Sequence, residues 1–220
     1  FKTIIIIGMG GSVLGAKSIY GFLKFKIKKK FIFIDNLDQS YLEEVKKKNN
    51  LKNSLFLIIS KSGNTIETIV NASFFQKFIN NKNSIIVSEN KNNILRNYAI
   101  KKKIYFVKHN SKIGGRYSVF SESGILPAYF MGLNIKKFKN RVLSLIKNKK
   151  ILTSEIKKIN KIISKRNKVL ILFNYVPELN NFMFWSQQLL AESLGKNKKG
   201  FMTVVSNAPK DHHSLLQLYL

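Results

Sequence analysis

The sequence contains no cysteine. That excludes disulfide scaffolds, thiolate zinc sites, iron–sulfur clusters and cysteine nucleophiles. With no leader pattern at the front either, a cytoplasmic protein is expected. Proline is scarce, at 3 residues, and so is acid: 11 Asp and Glu stand against 39 Lys and Arg, a formal net charge of +28. No apolar run approaches the roughly 18–20 residues a helical membrane span needs, so no membrane partner is expected; Ile4–Ile7 and Val169–Phe173 have strand length. What is present is a folding composition. Hydrophobic residues make up 45% and aromatics 12% of 220 residues, enough to bury a core and to exclude global disorder. The chain begins at Phe1, inside a run that reads as a strand, so a fragment of a longer protein is expected.

The positive charge does not by itself predict a nucleic-acid partner. The arginines are only Arg96, Arg116, Arg141 and Arg166, and base readout favours the bidentate arginine fork. Lys, Asn and Ile fill roughly two-fifths of the chain, a bias of overall composition. The lysines fall in short clusters, such as Lys28–Lys30, Lys46–Lys48, Lys101–Lys103 and Lys147–Lys150. These read as solvated loop and helix ends, whose field would also attract a small phosphorylated ligand.

The front half alternates strand and helix. Strands are expected at Thr3–Ile7, Phe31–Ile34, Leu55–Ile59, Ser84–Val87 and Ile104–Val107. Helices are expected at Val13–Leu23 and Tyr41–Lys48, then over a long segment with Ile66, Ile69, Val70, Phe74 and Phe78 on one face, with a helical turn at Asn93–Tyr98,. Apolar strands joined by helices predict an α/β fold: a doubly wound, five-stranded parallel sheet covered on both faces. Ser118–Gly132 reads as a helix kinked at Pro127. Ile135–Lys147 and Ser154–Arg166 read as bridging helices, the second with Ile156, Ile159 and Ile163 as its apolar stripe. A strand at Val169–Phe173, a helix from about Glu178 to Leu194 and a strand at Met202–Val205 look like the start of a second α/β unit. The expected organisation is therefore a first domain at 1–133, bridging helices at 134–166 and a truncated second domain at 167–220.

Two expected strand ends carry small polar residues: Gly8-Met9-Gly10-Gly11-Ser12, and Ser60-Lys61-Ser62-Gly63-Asn64-Thr65 followed by Ile66-Glu67-Thr68. Ligands of open parallel sheets bind beyond the carboxyl ends of the strands. The second segment also opens a helix, with Asn64 as the expected N-cap and Glu67 three residues on, as in a capping box,. Ser60, Ser62 and Thr65 then ring a helix N-terminus, which favours an anion. Three hydroxyls, Lys61 and backbone donors suit a phosphate monoester; a plain helix-capping turn is the alternative. The glycine turn, with Asp35 ending the next strand, also permits a dinucleotide reading, but the third glycine of that fingerprint falls on Val13,. No P-loop order of glycine, Lys and Ser/Thr occurs.

Three further segments carry candidate chemistry. Glu192 follows Gln188 by four residues, so both project from one helix face,. Gly195 closes that helix, placing a carboxylate at the negative end of its dipole, a setting that suits a general base. Arg116 follows Gly114 and Gly115, whose lack of side chains allows close approach of backbone to a ligand; a lone arginine there can stabilise developing negative charge. Asp211-His212-His213-Ser214 holds the histidine pair. Two adjacent histidines bind a metal awkwardly and no third ligand is evident, so no metal is expected, and one of the pair suits acid–base work near neutral pH. His109 stands alone in a basic loop and suggests no role.

Taken together, Gly8–Gly15, Ser60–Thr68, Gly114–Ser118, Ala191–Lys196 and Asp211–Gln217 resemble, in this order, the phosphoglucose isomerase (glucose-6-phosphate isomerase) family in its bacterial branch. The resemblance covers essentially the whole chain and implies two sugar-isomerase (SIS) domains. It implies interconversion of glucose 6-phosphate and fructose 6-phosphate, in glycolysis and gluconeogenesis, without cofactor or metal. By position it implies that Glu192 is the base moving a proton between C1 and C2 through a cis-enediol, that Arg116 stabilises the enediolate, and that His213 helps to open the sugar ring. Ser60, Lys61, Ser62 and Thr65 match the family's phosphate cradle; Gly11, Ser12, Gly115 and Gln188 match substrate contacts. His212 stands where the family usually has Gln. The ring-opening histidine of the family comes from a neighbouring subunit, so a homodimer is implied. The family also has a helical segment ahead of the first strand and a lysine near its C-terminus, neither of them among these residues. The rival readings are a non-catalytic SIS-type sugar-phosphate-binding module, a nucleic-acid binder and a nicotinamide dehydrogenase. The joint presence of Glu192, Arg116 and His213 favours the isomerase.

Overall fold

The computed structural model describes residues 1–163, 169–196 and 200–220. The first apolar runs become strands β1 (Thr3–Gly8), β2 (Lys30–Ile34), β3 (Ser54–Ile59), β4 (Ser84–Ser88) and β5 (Tyr105–Lys108). They form one parallel sheet in the order β2-β1-β3-β4-β5. Helices α1 (Leu14–Leu23), α2 (Gln39–Lys48), α3 (Ile66–Phe74) and α4 (Ile94–Lys102) connect them.

Alternation along each strand feeds two cores. Ile5, Ile7, Ile32, Ile34, Phe56 and Ile58 face one side, under Leu42 and Val45 of α2, Ala72 of α3 and Leu95 and Ala99 of α4. Ile4, Ile6, Phe31, Leu55, Leu57 and Ile59 face the other, with Val13, Ile19 and Leu126. A sheet apolar on both faces must be covered on both, as expected. Ile4–Ile7 are wholly buried; each such side chain stabilises the fold by about 1.5–3 kcal/mol relative to exposure.

The region expected as one kinked helix divides. A 3-10 segment, Gly115–Phe120, precedes α5 (Glu122–Phe130), which contains Pro127. Next come α6 (Ile135–Lys147) and α7 (Lys149–Ile163). No residue of α6 is buried, and in α7 Ile156 and Ile159 stay exposed, so this expected stripe does not enter a core. The side chain of Ile163 and the expected helix end at Arg166 lie outside the described residues. A second, two-stranded parallel sheet pairs β6 (Val169–Asn174) with β7 (Met202–Asn207). Between these strands α8 (Asn180–Leu194) packs on α1, where the Ser18 hydroxyl donates to the Asn181 carbonyl at 2.9 Å. A 3-10 turn, Lys210–His213, and the short α9 (Leu216–Tyr219) close the described structure. Among the described residues no helix is long and apolar enough to cross a membrane.

Two expectations about α3 are corrected. Its N-cap is Thr65, not Asn64, and no side-chain capping bond forms. The Asn64 side chain instead accepts from the Ile94 amide, at the start of α4, at 3.0 Å. The helix also stops at Phe74, and Ile66 and Val70 are exposed, while Ile69, Phe74 and Phe78 pack on the core.

Candidate active site

The strand order places the carboxyl ends of β1 and β3 at the point where the chain's connections diverge to opposite sides of the sheet. An open α/β sheet leaves a crevice there. A cleft of about 410 Å³ lies at this place, lined by Met9–Ser12, Lys61, Ser62, Thr65, Glu89, Gly115, Arg116, Gln188 and Glu192. Of the residues singled out from sequence, it therefore gathers Gly11, Ser12, Lys61, Ser62, Thr65, Gly115, Arg116, Gln188 and Glu192.

One end of the cleft is a cluster of hydroxyls. Ser60 Oγ lies 2.8 Å from Thr65 Oγ1 and 3.5 Å from Ser62 Oγ, and Ser62 Oγ lies 3.4 Å from Thr65 Oγ1. Ser60 is 1% exposed, so it forms the floor rather than the lining. Its Oγ also accepts from the Gly63 amide at 3.2 Å. The loop is pinned from the β4 side: the Glu89 amide donates to the Lys61 carbonyl at 2.9 Å and the Leu95 amide to the Gly63 carbonyl at 3.1 Å. Gly63 has φ +68° and sits so close to the Asn93 side chain that no Cβ would fit. Lys61 Nζ stands 3.7 Å from Glu89 Oε1, and Lys91 Nζ 3.0 Å from Glu89 Oε2. The hydrogen bond from Lys91 holds the Glu89 carboxyl below its ordinary range, against a smaller opposing effect of burial.

The other end is a guanidinium–carboxylate pair. Arg116 Nη1 donates to Glu192 Oε2 at 3.0 Å, and Gln188 Nε2 donates to Glu192 Oε1 at 2.6 Å, as i,i+4 spacing allows,. Both carboxylate oxygens are thus engaged. Arg116 Nε also donates to Ser193 Oγ at 3.1 Å, and its guanidinium carbon lies 4.6 Å from the Tyr117 ring centroid. The Trp185 indole donates to the Arg116 carbonyl at 3.0 Å. The loop carrying Arg116 is pressed on the first glycine turn: a Cβ on Gly11 would overlap the Gly115 carbonyl carbon and the Arg116 nitrogen. The Ser118 hydroxyl bridges the two turns, 3.1 Å from the Gly11 carbonyl and 2.7 Å from that of Gly115.

His213 is exposed on its 3-10 turn and is not among the residues lining this cleft. Asp211 organises that turn, accepting from the Asn207 amide at 2.7 Å and the Ser206 hydroxyl at 2.8 Å; these bonds hold its carboxyl below the ordinary range. His212 Nε2 lies 3.0 Å from the Tyr175 hydroxyl. Asp35, the ribose-binding candidate of the dinucleotide reading, is bonded to Lys17 Nζ at 2.7 Å. His109 lies in the loop after β5, as expected, but is buried, 1% exposed, with Nδ1 2.9 Å from the Asn110 carbonyl.

Sequence reading missed Glu89, Ser193, Tyr117 and Trp185. Glu89 had a signal, because it follows a strand end on the edge that carries both polar turns. Tyr117 and Ser193 stood inside the segments Gly114–Ser118 and Ala191–Lys196 with no role assigned, and Trp185 had no signal beyond sharing a helix with Glu192.

A family model for phosphoglucose isomerase matches residues 1–209. A glucose-6-phosphate isomerase of Methanocaldococcus jannaschii is 36% identical over 233 residues, which cover all of this chain and 57% of that protein. One of Acholeplasma laidlawii is 34% identical over 237 residues, covering 98% of this chain and 55% of that protein. The chain thus spans a little over half the length of these relatives. Among solved structures, a hypothetical protein of Thermus thermophilus superposes with a TM-score of 0.82 at 24% identity, over 99% of this chain and 56% of that one. A glucose-6-phosphate isomerase of Chlamydia trachomatis gives 0.79 at 22% identity, over 99% and 47%. These two likenesses concern the fold.

Proposed function

The chain belongs to the phosphoglucose isomerase family, and from that premise we propose that its cleft binds a hexose 6-phosphate and moves a proton between C1 and C2. The observation that carries this reading is the meeting, in one cleft, of an anion cradle with a carboxylate–guanidinium pair.

The phosphate sits on Ser60, Lys61, Ser62 and Thr65. Hydroxyls, an ammonium and helix-start amides are donors, which a dianion needs. Binding there positions the far end of the sugar at Glu192, and such remote binding energy lowers the entropic part of the barrier. Gly11, Ser12, Gly115 and Gln188 contact the sugar. The Glu192 carboxylate takes the proton from the carbon beside the carbonyl. The released electron pair forms the C1–C2 double bond, and the carbonyl oxygen becomes an enediolate oxygen. Arg116 stabilises that oxygen, an electrostatic effect of a preorganised cation. Glu192 returns the proton to the neighbouring carbon, and exchange of a proton between O1 and O2 completes the aldose–ketose shift. For this, the Glu192 carboxylate must let go of Arg116 Nη1, which is then free to serve the substrate oxygens.

His213 is assigned to ring opening in a homodimer, entering the cleft of a second copy; its exposure supports that assignment. A first SIS domain at 1–133, bridging helices at 134–166 and a partial second SIS domain at 167–220, working in the cytoplasm, complete the reading. It is tested by NMR of fructose 6-phosphate in heavy water. Deuterium should enter C1 with the native chain and not with Glu192→Gln. A folded chain that binds the sugar phosphate without exchange would instead be a binding module.

A further inference from the structure

Resting on the isomerase reading, we propose that Ser193 and Tyr117 form a positioning pair that holds Arg116 at the reacting end of the cleft while Glu192 is released to act as base. A guanidinium carries five N–H donors in one plane. Here two different nitrogens are anchored: Nη1 on Glu192 and Nε on Ser193. Two anchors on two nitrogens stop the plane from swinging about the Cδ–Nε bond. Only one of them survives catalysis, because proton abstraction requires the Glu192 carboxylate to let go of Arg116. The anchor that remains is Ser193.

Ser193 is itself fixed. Its Oγ lies 2.7 Å from the Tyr117 hydroxyl. A serine oxygen has two lone pairs and one proton, so Oγ takes the Arg116 Nε–H and still shares a hydrogen bond with the Tyr117 hydroxyl. The same contacts shift both groups: the Ser193 bond and then Arg116 lower the Tyr117 phenol from its ordinary value, and Tyr117 and then Glu192 raise Arg116. The Tyr117 ring supports the guanidinium face at 4.6 Å, a cation–π contact,. Glu192 and Ser193 are consecutive on α8 while Arg116 and Tyr117 are consecutive on the 3-10 segment. Two adjacent pairs thus lock together, one member of each pair for chemistry and the other for position.

The presence of only four arginines makes the test direct. In the chain labelled with 15N-arginine, each Nε–H gives its own signal, and Arg116→Lys identifies the one that belongs to Arg116. We expect that signal to exchange with water about tenfold more slowly than that of the exposed Arg141, as one good hydrogen bond requires, and to lose its protection in Ser193→Ala. Kinetically, Ser193→Ala and Tyr117→Phe should each lower kcat for C1 exchange by about tenfold with KM within about twofold. Their double variant should be no worse than Ser193→Ala, and Ser193→Thr should restore the rate. An Arg116 signal unchanged by Ser193→Ala overturns the proposal. So does a rise in KM at constant kcat, which would make Ser193 a substrate contact. If the native chain shows no exchange while the Arg116 signal depends on Ser193, the isomerase reading fails and the anchoring stands.

Discussion

The two ends of the cleft are built on opposite plans. The hydroxyl end is a backbone device. Ser60, Ser62 and Thr65 lie within six residues of one another, on a loop pinned by the amides of Glu89, Ile94 and Leu95. The guanidinium end is a side-chain device. Arg116 and Glu192 are 76 residues apart and meet through flexible atoms that other flexible atoms hold. A backbone device is preorganised and suits a ligand group that stays put during reaction. A side-chain device can exchange partners, which a base that must be freed from its own counter-ion needs. Binding and chemistry should therefore be separable by mutation.

The largest separation is expected from Glu192→Gln. C1 exchange should fall by about 10²–10⁴-fold, the usual loss of a general base, with little change in sugar-phosphate affinity, as read by NMR and calorimetry on the same sample. Gly11→Ala breaks the contrast instead of sharpening it, because a Cβ there pushes the two turns apart. It should lower stability by about 1–3 kcal/mol and impair both binding and exchange, measured by denaturant unfolding and by the same two assays. Thr65→Val acts on one end only. It strips the hydroxyl that Ser60 pairs with and should weaken fructose 6-phosphate binding by about 1 kcal/mol, roughly fivefold, with kcat at saturation unchanged.

The smallest effect concerns the His213 turn. Asp211 has its carboxyl lowered by the Asn207 amide and the Ser206 hydroxyl. A lowered carboxyl contributes stability that is complete above the ordinary carboxylate range and is lost as pH falls through the folded value. The His213 turn should therefore loosen only below about pH 4, followed by amide NMR of residues 207–213, and Asp211→Asn should remove that acid step. Loosening at pH 5–6 in the native chain would contradict this.

The hydroxyl cluster was legible because its signal is local. Apolar runs marked the strands, small polar residues marked their ends, and the rule for open sheets put a cleft there. The misreadings share one cause. Asn64 is a good N-cap by type, yet its side chain serves the amide of Ile94, thirty residues away. Ile66 and Val70 have helical spacing, but the helix that carries them presents another face to the core. At the guanidinium end, Arg116 and Glu192, to which the proposal assigns the chemistry, were singled out through motif order and do meet in the cleft. The roles of Ser193, Tyr117 and Trp185 in holding Arg116 were not, because their partners are set by how α8 packs on α1 and on the Gly115–Phe120 segment. Local pattern reveals what a segment can do; the partner across the fold decides what it does.

The central claim is that one cleft holds two separable devices. It is tested most directly by measuring fructose 6-phosphate affinity and C1 deuterium exchange together in the native chain, Glu192→Gln and Thr65→Val. The account predicts a crossed pattern: Glu192→Gln binds normally and does not exchange, and Thr65→Val binds weakly and exchanges normally at saturation. Persistent exchange in Glu192→Gln, or loss of both properties in both variants, would contradict it.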